Sequence, residues 1–151
     1  MWWKRKKPET IKIETPYGKF LKIDEAGWSK TGVSKRIVTW TGTAHYVHGN
    51  YIDVTVDDIE GVPNPRLLGR LPTILTDLQV LDRIARDYPQ LGEQLTGYEI
   101  SSISDCSEEH ATSYPDCFTL GYDVIDDGGG EAVTVFVDFS GRDIVDWAMA
   151  D

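Results

Sequence analysis

At 151 residues, with 40% hydrophobic and 26% charged side chains, the chain suits one domain with its own core and is too apolar for a disordered or fibrous protein. Its net charge of −10 speaks against a phosphate backbone as partner, so no nucleic acid is expected. No apolar run approaches the ~20 residues of a membrane span, and no apolar stretch follows the charged start as a secretory signal requires, so a cytoplasmic protein is expected.

Residues 1–9, MWWKRKKPE, read as a basic flexible arm, and 10–151 as a single α+β domain. From Ile11 the pattern is β. IKIET and KFLKID alternate around a turn at Pro16–Gly18, which predicts a hairpin with Phe20 and Lys22 on one face and Leu21 and Ile23 on the other. A glycine-containing loop leads to two segments, RIVTWTGTAHYV and NYIDVTVDD, rich in strand-favouring Thr, Val, Ile and aromatics. In the second, Ile52, Val54 and Val56 share one face and Tyr51, Asp53 and Thr55 the other, the mark of an antiparallel sheet with one wet side.

GVPNPRLLG ends the alternation, and the period then changes. Leu71, Ile74, Leu75, Leu78, Leu81, Ala85 and Tyr88 form one apolar stripe, predicting a main amphipathic helix over about 72–88 that opens at Pro72 or at a Thr76–Gln79 capping box and stops before Pro89. A short turn through Gly92–Leu95 precedes GYEISSIS, and an irregular acidic loop, DCSEEHATSYPD, follows. The segments CFTLGYDVI, EAVTVFVDF and DIVDWAM, linked by glycine- and aspartate-rich turns, predict a closing meander. About eight mostly antiparallel strands and one helix result, with no strand–helix–strand crossover pattern.

Charge is graded along the chain. Residues 1–40 hold ten Lys/Arg against four Asp/Glu, whereas residues 100–151 hold only Arg142 against twelve acids. The acidic half is either a solvated surface or a face for a protein with a basic surface. Its candidate contacts are Glu108, Glu109, Asp123, Asp126, Asp127 and Glu131.

The readings with specific chemistry fare poorly. A calcium loop counted from Asp123 would need ligands at Ile125 and Thr134 and helical flanks, so it fails. His45 and His48 stand three apart in a predicted strand, which turns them to opposite faces and not toward one metal. Joining them with His110 and Cys106 assembles four ligands without any recognised zinc spacing. DFSGR lacks the first glycine of a nucleophile elbow, and no phosphate-binding glycine motif is present. No catalytic residue, metal or cofactor is therefore expected. A ligand or enzymatic pocket between helix and sheet, lined by Trp40, His45 and His48, is the alternative, and a phage, viral or other assembly subunit is a second. Tyr46 and Tyr51 would be binding anchors if they lay on the wet face. Cys106 and Cys117 are expected as free thiols in a reducing compartment, with a bridge open to them only if their strands are neighbours.

The hairpin TPYGKFLKIDE, the Trp40–Gly42 strand segment, the Leu-rich helix after the first half of the sheet and the meander from Phe118 to Trp147 together resemble small bacterial α+β domains, some of them encoded beside polymorphic toxins and regarded as immunity proteins. The resemblance implies a non-catalytic inhibitor whose acidic surface occludes a basic toxin site, and it transfers no functional residue.

Overall fold

The computed structural model describes residues 11–28, 34–45, 51–124 and 133–150, without the side chains of 25–28, 34–36 and 45. The fold is α+β. A nine-stranded sheet runs in the order β1 (Lys12–Thr15), β2 (Gly18–Trp28), β3 (Ser34–His45), β4 (Tyr51–Ile59), β6 (Tyr98–Asp105), β7 (Cys117–Val124), β8 (Thr134–Ser140) and β9 (Asp143–Ala150), with a two-residue β5 (Val62–Pro63) on β4. All neighbours are antiparallel except β4 and β6, which run parallel. The helix α1 (Pro65–Asp87) makes that connection, so a strand–helix–strand crossover is present where the sequence pattern suggested none.

α1 starts seven residues before Pro72. Asn64 caps it, its Oδ1 accepting from the Arg66 amide at 3.1 Å, and Pro65 fills the first position, where a missing N–H costs nothing. Pro72 lies inside the helix on its exposed side, and Thr76 donates its hydroxyl to the Pro72 carbonyl. The apolar stripe therefore begins at Leu67 and runs through Leu71, Ile74, Leu78, Leu81 and Ala85.

The stripe packs on the sheet face formed by Phe20, Trp40, Ile52, Val54, Val56, Ile103, Phe118, Leu120, Tyr122, Val135, Val137 and Phe139. Gly42 belongs to this inner face, and the Phe20 ring from the neighbouring strand lies against it where a Cβ would be. Polar groups in the core find partners: the Trp40 indole donates to Asp58 at 2.8 Å and the Tyr122 hydroxyl to Asp82 at 3.0 Å. Arg86 completes the second contact, pairing with Asp82 and donating to the Leu95 and Tyr98 carbonyls, so the turn after α1 is tied down along with buried Leu91 and Leu95. Among the described residues no helix is long and apolar enough to cross a membrane.

Asp105, at the end of β6, joins three elements. It accepts from the Asp57 amide of β4 at 2.7 Å and from the Asn64 side chain at the α1 cap at 2.8 Å. Burial raises its pKa above the ordinary aspartate value, partly offset by those two donors and by Arg66.

The acidic loop expected to be irregular contains a second helix, α2 (Glu108–Ser113). Ser107 caps it, and Glu108 and Glu109 occupy the first turn, where free amides favour negative charge.

Candidate functional site

The face of the sheet turned away from α1 is built from the alternate residues of the same strands. Register places Thr55 of β4, Ser104 of β6, Thr119 of β7, Asp138 of β8 and Asp146 of β9 side by side across it. A parallel row holds Asp53, Ser102, Gly121, Phe136 and Ala148. Gly121 belongs there because the Ser102 hydroxyl occupies the space its Cβ would take.

Two acid pairs stand directly opposite each other on neighbouring strands, Glu99 with Asp123 and Asp138 with Asp146. Like charges so placed repel. The second pair arises from a register shift between Asp138 and Phe139: the regular register would set Val145 beside Asp138 and turn Asp146 toward the apolar side.

α2 brings a histidine to that second pair. His110 lies between the two carboxylates, with Nδ1 at 2.7 Å from Asp138 Oδ2 and Nε2 at 3.4 Å from Asp146 Oδ2. The other Asp138 oxygen accepts the Thr119 hydroxyl at 2.5 Å, and Thr119 at this end of the face is only 7% exposed. The Glu99–Asp123 pair is more open. Both residues are exposed, Asp123 accepts the Thr134 hydroxyl at 2.6 Å, and among the described residues neither has a cationic partner.

No family model, curated protein or solved structure matches the chain. The chemistry has to be read from the cluster itself. The ligand atoms of His110, Asp138 and Asp146 lie within 4.8 Å of one another, an arrangement able to meet a cation. Both Asp138 oxygens already accept hydrogen bonds, however, which leaves Nε2 and the exposed Asp146 carboxylate as the open donors, with Asp138 orienting the ring from behind. Two open donors make a weak metal site. Catalysis is served no better: a general base has to face the proton it removes, and Nε2 faces a carboxylate.

The residues expected from sequence are distributed as follows. Glu108 and Glu109 are exposed on α2, beside the His110 cluster, and Asp123 is exposed at the far end of β7. Asp126, Asp127, Glu131, Tyr46 and His48 lie outside the described residues, as does the side chain of His45, whose backbone pairs with Tyr51. Trp40 is 2% exposed in the core, and Tyr51 is 72% exposed on the outer face. Sequence reasoning missed Glu99, Asp138 and Asp146, and took His110 only as one member of a set with His45, His48 and Cys106. The polar position of Asp138 in an otherwise apolar alternation was the one available signal.

Among the described side chains, cations are kept away from the β4–β9 part of this face. The Lys and Arg side chains that are described belong to β1, β2, α1 and the turn between β8 and β9. Arg142 in that turn reaches α1, with Nη2 and Nε at 3.2 and 3.3 Å from the two oxygens of Asp77. The gradient along the chain thus becomes a division along the outer face, where β1 and β2 present Lys12 and Lys19. On β4 and β6–β9 the outward positions hold Asp53, Asp57, Glu99, Asp123, Asp138, Asp143 and Asp146 and no Lys or Arg.

Proposed function

We propose that the protein is a non-catalytic binding module whose outer sheet face, from β4 to β9 with α2, docks a protein of basic surface. The observation that supports this is the division of charge: the outward positions of five strands carry acids without one compensating Lys or Arg, and the one cation of the C-terminal third is turned to α1. Summed like charges on one face steer an oppositely charged partner and exclude others. Exposed Tyr51 adds an aromatic of the kind that anchors interfaces. An inhibitor of the immunity type is the form of this reading that the resemblance suggests.

The test sets two triple variants against each other. One removes three outer acids (Asp123→Asn, Glu108→Gln, Glu109→Gln), and the other removes three acids from elsewhere (Glu14→Gln, Asp87→Asn, Glu93→Gln). A basic protein retained from extract by the immobilised protein at low salt should be released at high salt, lost by the first triple and kept by the second. Equal retention by both triples would overturn the reading.

A further inference from the structure

The loop that carries α2 starts and ends at a cysteine. β6 and β7 pair through Asp105 with Phe118, and the next pair in that register is Cys106 with Cys117. Both thiols are buried, each 7% exposed, and they hydrogen-bond to each other. Opposite residues of an antiparallel pair have Cα atoms about 4.5–5.5 Å apart, inside the roughly 4.4–6.8 Å that a disulfide spans. Adjacent strands were the condition the sequence left open, and the fold meets it.

We propose that Cys106 and Cys117 form a reversible disulfide that fastens residues 107–116, and α2 with them, to the outer face of the sheet. The oxidant is a small disulfide such as oxidised glutathione. One of the two thiols gives its proton to solvent and its thiolate attacks one sulfur of the oxidant, expelling a thiolate that takes up a proton. The other cysteine then loses its proton and attacks the protein sulfur of the mixed disulfide, expelling a second thiolate that takes up a proton. Two protein thiols are oxidised and one oxidant disulfide is reduced to two thiols.

The surroundings set the pace of these steps. Burial, with the nearby Asp138 charge, raises both thiols above the ordinary cysteine value, so oxidation of the folded protein is slow and proceeds when the loop opens. The loop is held by its own bonds, from the Ala111 amide to Ser107 and from the Cys117 amide to Tyr114, and by His110 on Asp138. A bridge at its base removes the freedom of α2 to leave the sheet. Any effect on partner binding rests on the acidic-face reading; the disulfide itself does not.

The full chain is equilibrated with reduced and oxidised glutathione, once folded and once in urea, then quenched, alkylated and mapped by mass spectrometry without reduction. The expected result is an intramolecular Cys106–Cys117 link, reversed by dithiothreitol, with an effective thiol concentration about 100-fold higher in the folded chain than in urea. The linked protein should melt about 5–10 °C above the reduced one and show slower amide exchange across 107–116. Cys106→Ser and Cys117→Ser should each yield only a mixed disulfide. An effective concentration no higher in the folded chain than in urea, a link formed between molecules, or a linked form that melts lower would each overturn the proposal. Because both samples, folded and in urea, are taken to equilibrium, slow access to the buried thiols does not protect it.

Discussion

The two faces of the sheet come from alternate residues of the same strands, yet they hold the molecule together by different means. On β4, Ile52, Val54 and Val56 are fully buried beneath α1, while Asp53 and Asp57 in the alternate phase are exposed. On β8 the same alternation separates Val135, Val137 and Phe139 from Asp138. The inner face gains from apolar area removed from water, a non-directional effect worth about 25 cal/mol per Å². The outer face depends on directional bonds (Thr119 to Asp138, Asp138 to His110), each of small net worth. Stability is therefore concentrated on one side, which leaves the other free to carry a charge pattern that adds little to folding and in its opposed acid pairs works against it.

The largest effect expected is on the inner face. Leu78→Ala, at a fully buried position of α1, should cost about 2–5 kcal/mol, whereas Thr55→Ala on the outer row should cost under about 1 kcal/mol. Urea unfolding of both variants measures the gap, and comparable costs would mean the faces are not divided as described.

A second contrast uses one substitution twice. In Gly42→Ala the new methyl meets the buried Phe20 ring, which has little room to retreat, and overpacking of this kind costs about 1–3 kcal/mol. In Gly121→Ala it meets the Ser102 hydroxyl, the end of a side chain that rotates. The outer variant should lose less than the inner one, and thermal melts of the pair check the order.

Asp105 belongs to the inner side and supplies a test by pH. Its folded pKa is raised, so between the ordinary aspartate value, near ~3.9, and that raised value the folded chain binds more protons than the unfolded one. Its contribution to stability is therefore fully present below the ordinary value and is lost as pH rises through the folded one. Asp105→Asn should flatten that slope in denaturation curves across this window. Asp105→Ala, which leaves the Asp57 amide and the Asn64 side chain without their acceptor, should cost about 1–3 kcal/mol at neutral pH.

How much of this was legible in the sequence depends on whether the cause was local. The alternation of β4, β7 and β8 and the stripe of α1 are local patterns, and the core follows from them. The start of α1 was hidden because two prolines within three residues resemble a break, although Asn64 and Pro65 are a cap and a first helical position. The parallel pairing of β4 with β6 is non-local, and a strand reading Ser-Ser-Ile-Ser around Ile103 gives little periodic signal of its own. The acid gradient was visible from composition, but its arrangement as one face depends on register, on the shift that brings Asp146 beside Asp138, and on a loop folding back over both.

That loop carries the smallest effect, and the one that separates the two ends of the outer face. Removing the imidazole in His110→Ala leaves Asp138 and Asp146 opposed as Glu99 and Asp123 already are, while Asp138 keeps its Thr119 donor. A loss of about 1 kcal/mol is expected, the scale of one net charge-assisted contact at a partly buried position. If repulsion between the acids is the cause, Asp146→Asn should restore part of that loss in the His110→Ala background and should restore nothing in the parent, where the imidazole stands between the two carboxylates. A double-mutant cycle read from unfolding at low and high salt gives the coupling directly, and the coupling should shrink with salt because Asp146 is solvent-facing. A salt-independent coupling would instead assign the role of His110 to packing of α2 on Thr119 and Cys117.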